Sequence, residues 1–245
     1  MGETWRRLGP EALPPAGAVA RPVELLRALA ADPTPSLSWS TVTRPALVLG
    51  RLAVDPEVDG EAARTEGVEV VRRSSGGGPV LWDAGLLALD VALPRGHRLA
   101  GDDVVVAYRW LGEAIAEGLR ALGVPDVEVV GIARARDDRA RPGPAADTCY
   151  GGLSPFEVTA AGRKVVGLSQ TRRAPGALLQ AGILVSLDPG LLARLLRRDE
   201  EFAAGLGAAA AGLGELRPGL SAAAIVGAVD AAVARRESVA LEGTA

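Results

Sequence analysis

Two hydrophobic periods alternate along the chain, and most of the segments with the strand period are joined to one another by turns. A helical repeat at Val23, Leu25, Leu26 and Leu29, closed by Asp32-Pro33, predicts one helix within the Pro-, Ala- and Gly-rich residues 1–35, whose remainder reads as a strand or tail. Ser38 to Leu49 reads as extended, with Pro45 confining that part to a sheet edge or a bulge. A short helix from Asp59 to Glu66 leads into a strand from Val68 to Arg73. After the glycine loop at 74–79 come two apolar strands, Val80 to Trp82 and Leu86 to Leu93. Asp102 and Asp103 are placed to cap an amphipathic helix that runs through Leu122 and stops at Gly123, with apolar residues at 104, 105, 108, 111, 115, 119 and 122. Val127 to Val130 predicts a short strand, and residues 131–148 an unpatterned Arg- and Pro-rich loop of a length that usually serves function or motion. Phe156 to Ala160, Lys164 to Gln170 and Ala177 to Val185 predict three further strands, the first two joined by a turn at Ala161-Gly162-Arg163. From Asp188 to Ala234 the pattern is helical, with a Gly/Ala-rich break around 205–219. Strands with turn-length links and no regular βαβ alternation imply an α+β domain with a mixed, largely antiparallel sheet flanked by helices.

Composition narrows the function classes. A length of 245 residues, 48% hydrophobic and 23% charged, is enough for one large domain with a full core. A net charge of −3 supplies no field that would draw nucleic acid or an anionic membrane. The most apolar long stretch, Leu220 to Ala234, is interrupted by Asp230 and followed by Arg235 and Arg236, well short of a membrane span. A single cysteine permits no internal disulfide and fits a reducing cytoplasm, and with a single histidine it makes a structural zinc site an unsuitable reading.

Of the 27 basic residues only Lys164 is a lysine, fifteen positions after the only cysteine, Cys149. Where arginine serves every other cationic role, one lysine marks a place for a compact ammonium, although a stray lysine on a solvated loop explains it equally well. Cys149 beside Tyr150 and Gly151-Gly152 could be a nucleophile if a nearby cation favours its thiolate, against the commoner reading of an inert core thiol. Gly76-Gly77-Gly78 after a strand lets backbone N–H groups approach a ligand, but it lacks the spacing of a dinucleotide or P-loop fingerprint and is in isolation a tight turn. His97, in the turn Pro94 to Arg98, reads as exposed and receives no catalytic role. Arg134, Arg136, Arg139 and Arg141 could steer an acidic partner, or simply face solvent.

Three blocks in order carry a resemblance. Arg72-Arg73-Ser74-Ser75-Gly76-Gly77-Gly78-Pro79-Val80, then Trp82-Asp83, resembles the Arg-Arg-x-Ser-Gly-Gly-Gly-Ala-Val and His-Asp signature of the lipoate-protein ligase A family. Gly162 to Gln170 resembles that family's lysine block, and Leu179-Gln180-Ala181-Gly182-Ile183-Leu184 its Gln-His-Gly strand. Cys149 to Val158 resembles the cysteine stretch of the octanoyltransferases and octanoyl amidotransferases that form a thioester. Trp82, Pro79, Ala181 and Leu168-Ser169 depart from these patterns. The resemblance implies the biotin/lipoate ligase catalytic fold over residues 1–210, with a helical tail over 211–245. It implies an enzyme that joins octanoyl or lipoyl to a lysine of a lipoyl carrier domain, in a 2-oxoacid dehydrogenase or a glycine-cleavage carrier protein. It assigns catalysis to Cys149 and Lys164 and acyl binding to Arg73, Ser75, Gly76, Gly77, Gly78, Gly167, Ser169, Gln180 and Gly182, with no metal held by protein ligands. Two chemistries stay open. In one, Cys149 forms the thioester, Lys164 favours the thiolate and stabilises the oxyanion, acyl carrier protein is a donor and no cofactor is needed. In the other, free lipoate or octanoate is activated with ATP and Mg, Lys164 and the glycine loop hold the adenylate, and Cys149 is a wall residue. The altered residues at 82 and 181 also admit a homologue that binds the carrier without chemistry.

Overall fold

The computed structural model describes residues 4–51 and 58–242. Ten strands form two sheets. The larger has the order β1 (Arg6–Leu13), β2 (Ser36–Val42), β6 (Leu86–Pro94), β10 (Gly176–Leu184), β9 (Arg163–Arg173), β8 (Val158–Ala160) and β7 (Glu128–Val129). Only β1 and β2 run parallel; every other pair in it is antiparallel. A three-stranded sheet sets β3 (Ala46–Leu49) between parallel β4 (Glu69–Arg72) and antiparallel β5 (Val80–Trp82). This is the mixed α+β architecture that the strand spacing predicts.

The two faces of the large sheet differ in chemistry because side chains alternate along each strand. One face presents Leu37, Trp39, Leu89, Val91, Leu179 and Ile183 to α3 (Arg109–Ala121) and α8 (Ala222–Glu242), which add Leu111, Ile115, Leu119, Ile225 and Val229 to a dry core. Trp39 anchors the C-terminal helix to that core by donating its indole N–H to Asp230 at 2.8 Å. The other face presents Ser38, Asp90, Gln180, Gly182 and Gly167, residues too small or too polar to fill a core. It is roofed in part by α1 (Pro15–Ala28), whose Leu25 and Leu26 pack on Ala92 and Leu178. The space left on this second face is an open cleft. Among the described residues no helix is long and apolar enough to cross a membrane.

Several sequence expectations need correction. The extended run from Ser38 to Leu49 is two strands in different sheets, and Pro45 lies in their link; β3, on the far side of that link, is a central strand. The α-helix begins at Arg109 rather than after Asp103. Asp103 does cap, accepting from Val105 and Val106 N–H, but it opens a turn and a 3-10 segment at Val106–Tyr108 that leaves Val104, Val105 and Val106 exposed. The loop at 131–148 contains the helix α4 (Ile132–Ala140), invisible to periodicity because only Ala135 is buried on it. Short helices α5 (Pro189–Leu195), α6 (Glu200–Ala209) and α7 (Leu213–Leu216) divide the tail before α8, so the Gly/Ala-rich stretch is largely helical. His97 is 9% exposed, edge-on to Trp5 at 5.7 Å.

Candidate active site

The local sequence builds the site from three loops and one distorted strand. The turn Ala161-Gly162 has φ of 47° and 78°, the two left-handed positions of a tight hairpin, and it fixes the register of β8 on β9. In that register Val158 faces Val166 and Thr159 faces Lys164, so Val165 is an extra residue. The bulge reverses the alternation between Lys164 and Val166 and puts Lys164 on the same face as Gly167 three residues on, which a regular strand forbids. The Cε of Lys164, the ring of Tyr150 at Cζ and the Sγ of Cys149 all lie within 3.7 Å of the point where a Cβ on Gly167 would stand. Two candidate residues fifteen apart in sequence thus meet over one glycine.

Lys164 is 2% exposed and its ammonium meets three acceptors: the main-chain carbonyl of Cys149 at 2.7 Å, that of Gly152 at 2.9 Å and Glu157 Oε2 at 2.7 Å. An ammonium has three protons, so these use its capacity. It also stands 5.3 Å from the centre of the Tyr150 ring. Its role in the ground state is to fold the loop at 149–152 around itself, with the Cys149 carbonyl rather than the thiol as its partner. Glu157, 3% exposed, also accepts from the N–H of Ser154 at 2.7 Å and of Leu168 at 3.1 Å. Burial pushes its carboxyl upward, and Lys164 and the two N–H groups pull it back. Phe156 just before it takes a φ of 67°, strained for a side chain of this size, and its ring is held against Tyr108 and Arg109. Tyr150 is buried, which raises its phenol well above the ordinary value, and donates to the carbonyl of Gly182 at 2.8 Å. A Cβ on Gly182 would stand 2.6 Å from that phenol oxygen.

The glycine loop faces this assembly across the cleft. Cys149 N–H donates to Pro79 O at 3.0 Å, and a Cβ on Gly78 would collide with the carbonyl of Asp147, so the two loops are pinned together. Gly77 has φ of 98° and lies under Arg73. Arg73 straps the loop, donating to Gly76 O at 2.9 Å and to Gly78 O at 3.0 Å. The N–H groups of Gly76, Gly77 and Gly78 make no hydrogen bond to any described residue. A cleft of about 560 Å³ joins these parts, lined by Arg73, Ser75, the three glycines, Cys149, Lys164, Gly167, Ser169, Gln180 and Gly182. Val48, Val80, Trp82, Leu86 and Ala88 supply an apolar side, with Ala18 and Val19 of α1 above it. Trp82, where the resemblance has His, turns its indole N–H to Leu86 O at 3.2 Å and closes the link between β5 and β6. Of the arginines in α4, Arg139 lines this cleft, whereas Arg134 pairs with Glu128 at 2.8 Å.

The residues assigned to catalysis and acyl binding therefore share one cavity, with two unforeseen additions. Glu157 went unassigned because its partnership with Lys164 depends on the bulge. Asp90 also lines the cleft; a lone carboxylate inside the apolar run from Leu86 to Leu93 was the available signal.

A family model described as the lipoyl protein ligase A/B catalytic domain matches residues 14–233. The chain belongs to that family. Octanoyltransferase LipM of Geobacillus kaustophilus (strain HTA426) is 32% identical over 203 residues, covering 81% of this chain and 72% of the relative. Octanoyltransferase LipM of Kyrpidia tusciae is 37% identical over 148 residues, covering 58% of this chain and 50% of the relative. Among solved structures, the bipartite lipoate protein ligase of Thermoplasma acidophilum superposes with a TM-score of 0.74 at 21% identity, over 94% of this chain and 82% of that one. A lipoate-protein ligase A bound with ATP gives 0.72 at 21% identity, over 95% and 85%. The structural likeness establishes the lipoate ligase fold. Together with the family membership and the relatives, the chain is an acyl-attachment enzyme of the lipoate-protein ligase A family.

Proposed function

We propose that this enzyme carries an octanoyl or lipoyl group as a thioester on Cys149 and passes it to a lysine of a lipoyl carrier domain. The observation that carries the reading is the convergence of Cys149 Sγ with Lys164 and Tyr150 over Gly167, at the floor of a cleft closed opposite by three glycines whose N–H groups engage none of the described residues. In the first step the Cys149 thiolate attacks the carbonyl carbon of a donor thioester on acyl carrier protein. The carbon–sulfur bond to Cys149 forms, the donor's bond breaks, and the donor thiolate leaves and takes up a proton. In the second, the neutral amine of the carrier lysine attacks the enzyme thioester, an amide forms, the amine loses its proton to solvent and Cys149 is released. Each step puts negative charge on the carbonyl oxygen. The N–H groups of Gly76, Gly77 and Gly78 are the donors free to receive it, whereas Lys164 has already committed its protons and acts by holding Cys149 in place. The same commitment makes the site a poor fit for a magnesium adenylate, because the family lysine has no proton left for a phosphate. The carrier would be that of a 2-oxoacid dehydrogenase or of the glycine-cleavage system, and unprotected thiol chemistry suits a cytoplasmic setting.

Intact-protein mass spectrometry tests the reading. Octanoyl-acyl carrier protein should add one octanoyl mass to the protein, removable by hydroxylamine and absent in Cys149→Ser, and a lipoyl domain should then accept it without ATP. Pyrophosphate release from ATP and lipoate, with full activity in Cys149→Ser, would replace this mechanism by the ligase one. No acyl mass and no turnover with any donor would leave a carrier-binding homologue.

A further inference from the structure

The apolar side of the cleft has a near end and a far end relative to the thiol. Its near end is fixed where the N–H of Cys149 donates to Pro79 O at 3.0 Å. From there β5 leads away: Val80 and Trp82, two residues apart and on one face of the strand, both line the cleft, and Trp82 lies three residues, ~10 Å, from Pro79. A second route ends at the same place. Gly167, beneath the thiol, pairs with Gly182 on the next strand, and Leu86 Cδ1 stands 3.8 Å from where a Cβ on Gly182 would be. The carbonyl of that leucine takes the indole N–H of Trp82 at 3.2 Å. Cys149, Ala88 and Val19 pack on the same apolar cluster that holds Val48, Val80, Trp82 and Leu86.

Burial of methylenes directs an alkyl tail on Cys149 along this side. Two residues along the strands from Ala88, Gly182 and Gly167 stand Asp90, Gln180 and Ser169, where methylenes would strip water from a buried carboxyl and return no hydrogen bond. That row confines the tail to the apolar side. Eight carbons in a staggered zigzag of single bonds span roughly 9 Å. An octanoyl group whose carbonyl rests at Cys149 therefore meets Trp82 with its methyl end. Resting on the acyl-attachment reading above, we infer that Trp82 is the end stop of the acyl site and sets the longest chain accepted, at about eight carbons. Its indole is the largest side chain of the apolar wall and is buried. Swinging the ring aside to admit a longer chain would break its bond to Leu86 O and leave the N–H unpaired inside the protein.

Calorimetric titration of the full chain with free hexanoate, octanoate, decanoate and dodecanoate reads the stop without any chemistry at Cys149. Affinity should rise roughly fourfold per added methylene up to octanoate. It should then fall roughly tenfold or more by dodecanoate, whose extra methylenes meet a packed ring. Trp82→Leu, which shortens the wall side chain, and Trp82→His, which keeps a ring N–H on a smaller ring, should both move the maximum to a longer chain. An affinity that keeps rising to dodecanoate in the wild type, or binding of no acid, overturns the inference whether or not the variants fold; so does an unchanged maximum in either folded variant. Loading of Cys149 is followed separately by intact mass with the matching thioester donors. A binding maximum at octanoate without loading would sink the thioester mechanism and leave the stop standing, and loading without any chain-length maximum would do the reverse.

Discussion

Asp90→Asn should convert a buried acid into a neutral isostere, and its effect on stability should depend on pH in a stated direction. Asp90 is buried, and desolvation outweighs the Gln180 hydrogen bond and the Arg21 charge, raising its carboxyl from 3.8 to about 7. An acid raised on folding holds its proton better in the native state than in the unfolded one. The native state is therefore favoured at low pH, and this contribution is lost progressively as pH rises from about 4 to about 7. The difference between 3.8 and about 7 corresponds to about 4 kcal/mol, all of it missing above neutrality. Asparagine keeps an oxygen to accept from Gln180 Nε2 and never ionises. Urea unfolding of both proteins at about pH 4.5, 6 and 8 cancels every titration they share and leaves that of Asp90. The variant should gain on the wild type as pH rises, by about 3 kcal/mol between pH 4.5 and pH 8. A difference independent of pH, or one that shrinks as pH rises, would refute the burial argument.

Other perturbations test the same geometry. Lys164→Met strands the buried Glu157 carboxylate and should cost about 3–5 kcal/mol in denaturant unfolding, part of it recovered in Lys164→Met/Glu157→Gln. Lys164→Arg should lose acyl attachment, since a planar fork cannot meet the Cys149, Gly152 and Glu157 acceptors in a space shaped for an ammonium; retention of most turnover would contradict this. Gly77→Val puts a β-branched side chain at a φ of 98° and against Arg73, so acyl loading followed by mass should fail while the far-ultraviolet circular dichroism stays native. Asp230→Ala leaves the buried Trp39 indole N–H without its partner and should lower stability by about 1–3 kcal/mol in denaturant unfolding.

Much of the fold was legible because its signals are local. The hairpin at Ala161-Gly162, the stop at Gly123 and the apolar strands from Leu86 and Ala177 depend on turn chemistry and short-range alternation, and each forms where the pattern puts it. The failures have a common physical source, long-range packing that overrides the local pattern. Val104 and Val105 extend the apolar stripe of α3 on paper, yet they lie beyond the edge of the core and stay exposed. The helix at 132–140 has almost no buried face to announce it, and instead serves the site through Asp138, which accepts from Leu153 N–H at 2.7 Å. His97 is covered by Trp5, a residue ninety-two positions away that no local window contains. The rarity of lysine and cysteine singles out two residues that meet over Gly167, but one residue of bulge decides which way Lys164 faces.

That bulge explains why the departures from the family's residues do not dismantle the site. The position of Cys149 depends on its own backbone: its N–H is held by Pro79 and its carbonyl by Lys164. Lys164 is held in turn by Glu157, and Glu157 by two backbone N–H groups from separate segments. None of these bonds passes through Trp82 or Ala181, where the resemblance has histidines. Trp82 spends its N–H on the turn between two strands, and Ala181 packs in the apolar core. Trp82 changes the wall of the cleft and Ala181 the core behind it, and neither changes the support of the thiol. We expect variants along the Cys149–Lys164–Glu157 line to move turnover and variants along the Asp90–Gln180–Ser169 row, which shares none of these bonds, to move acyl binding.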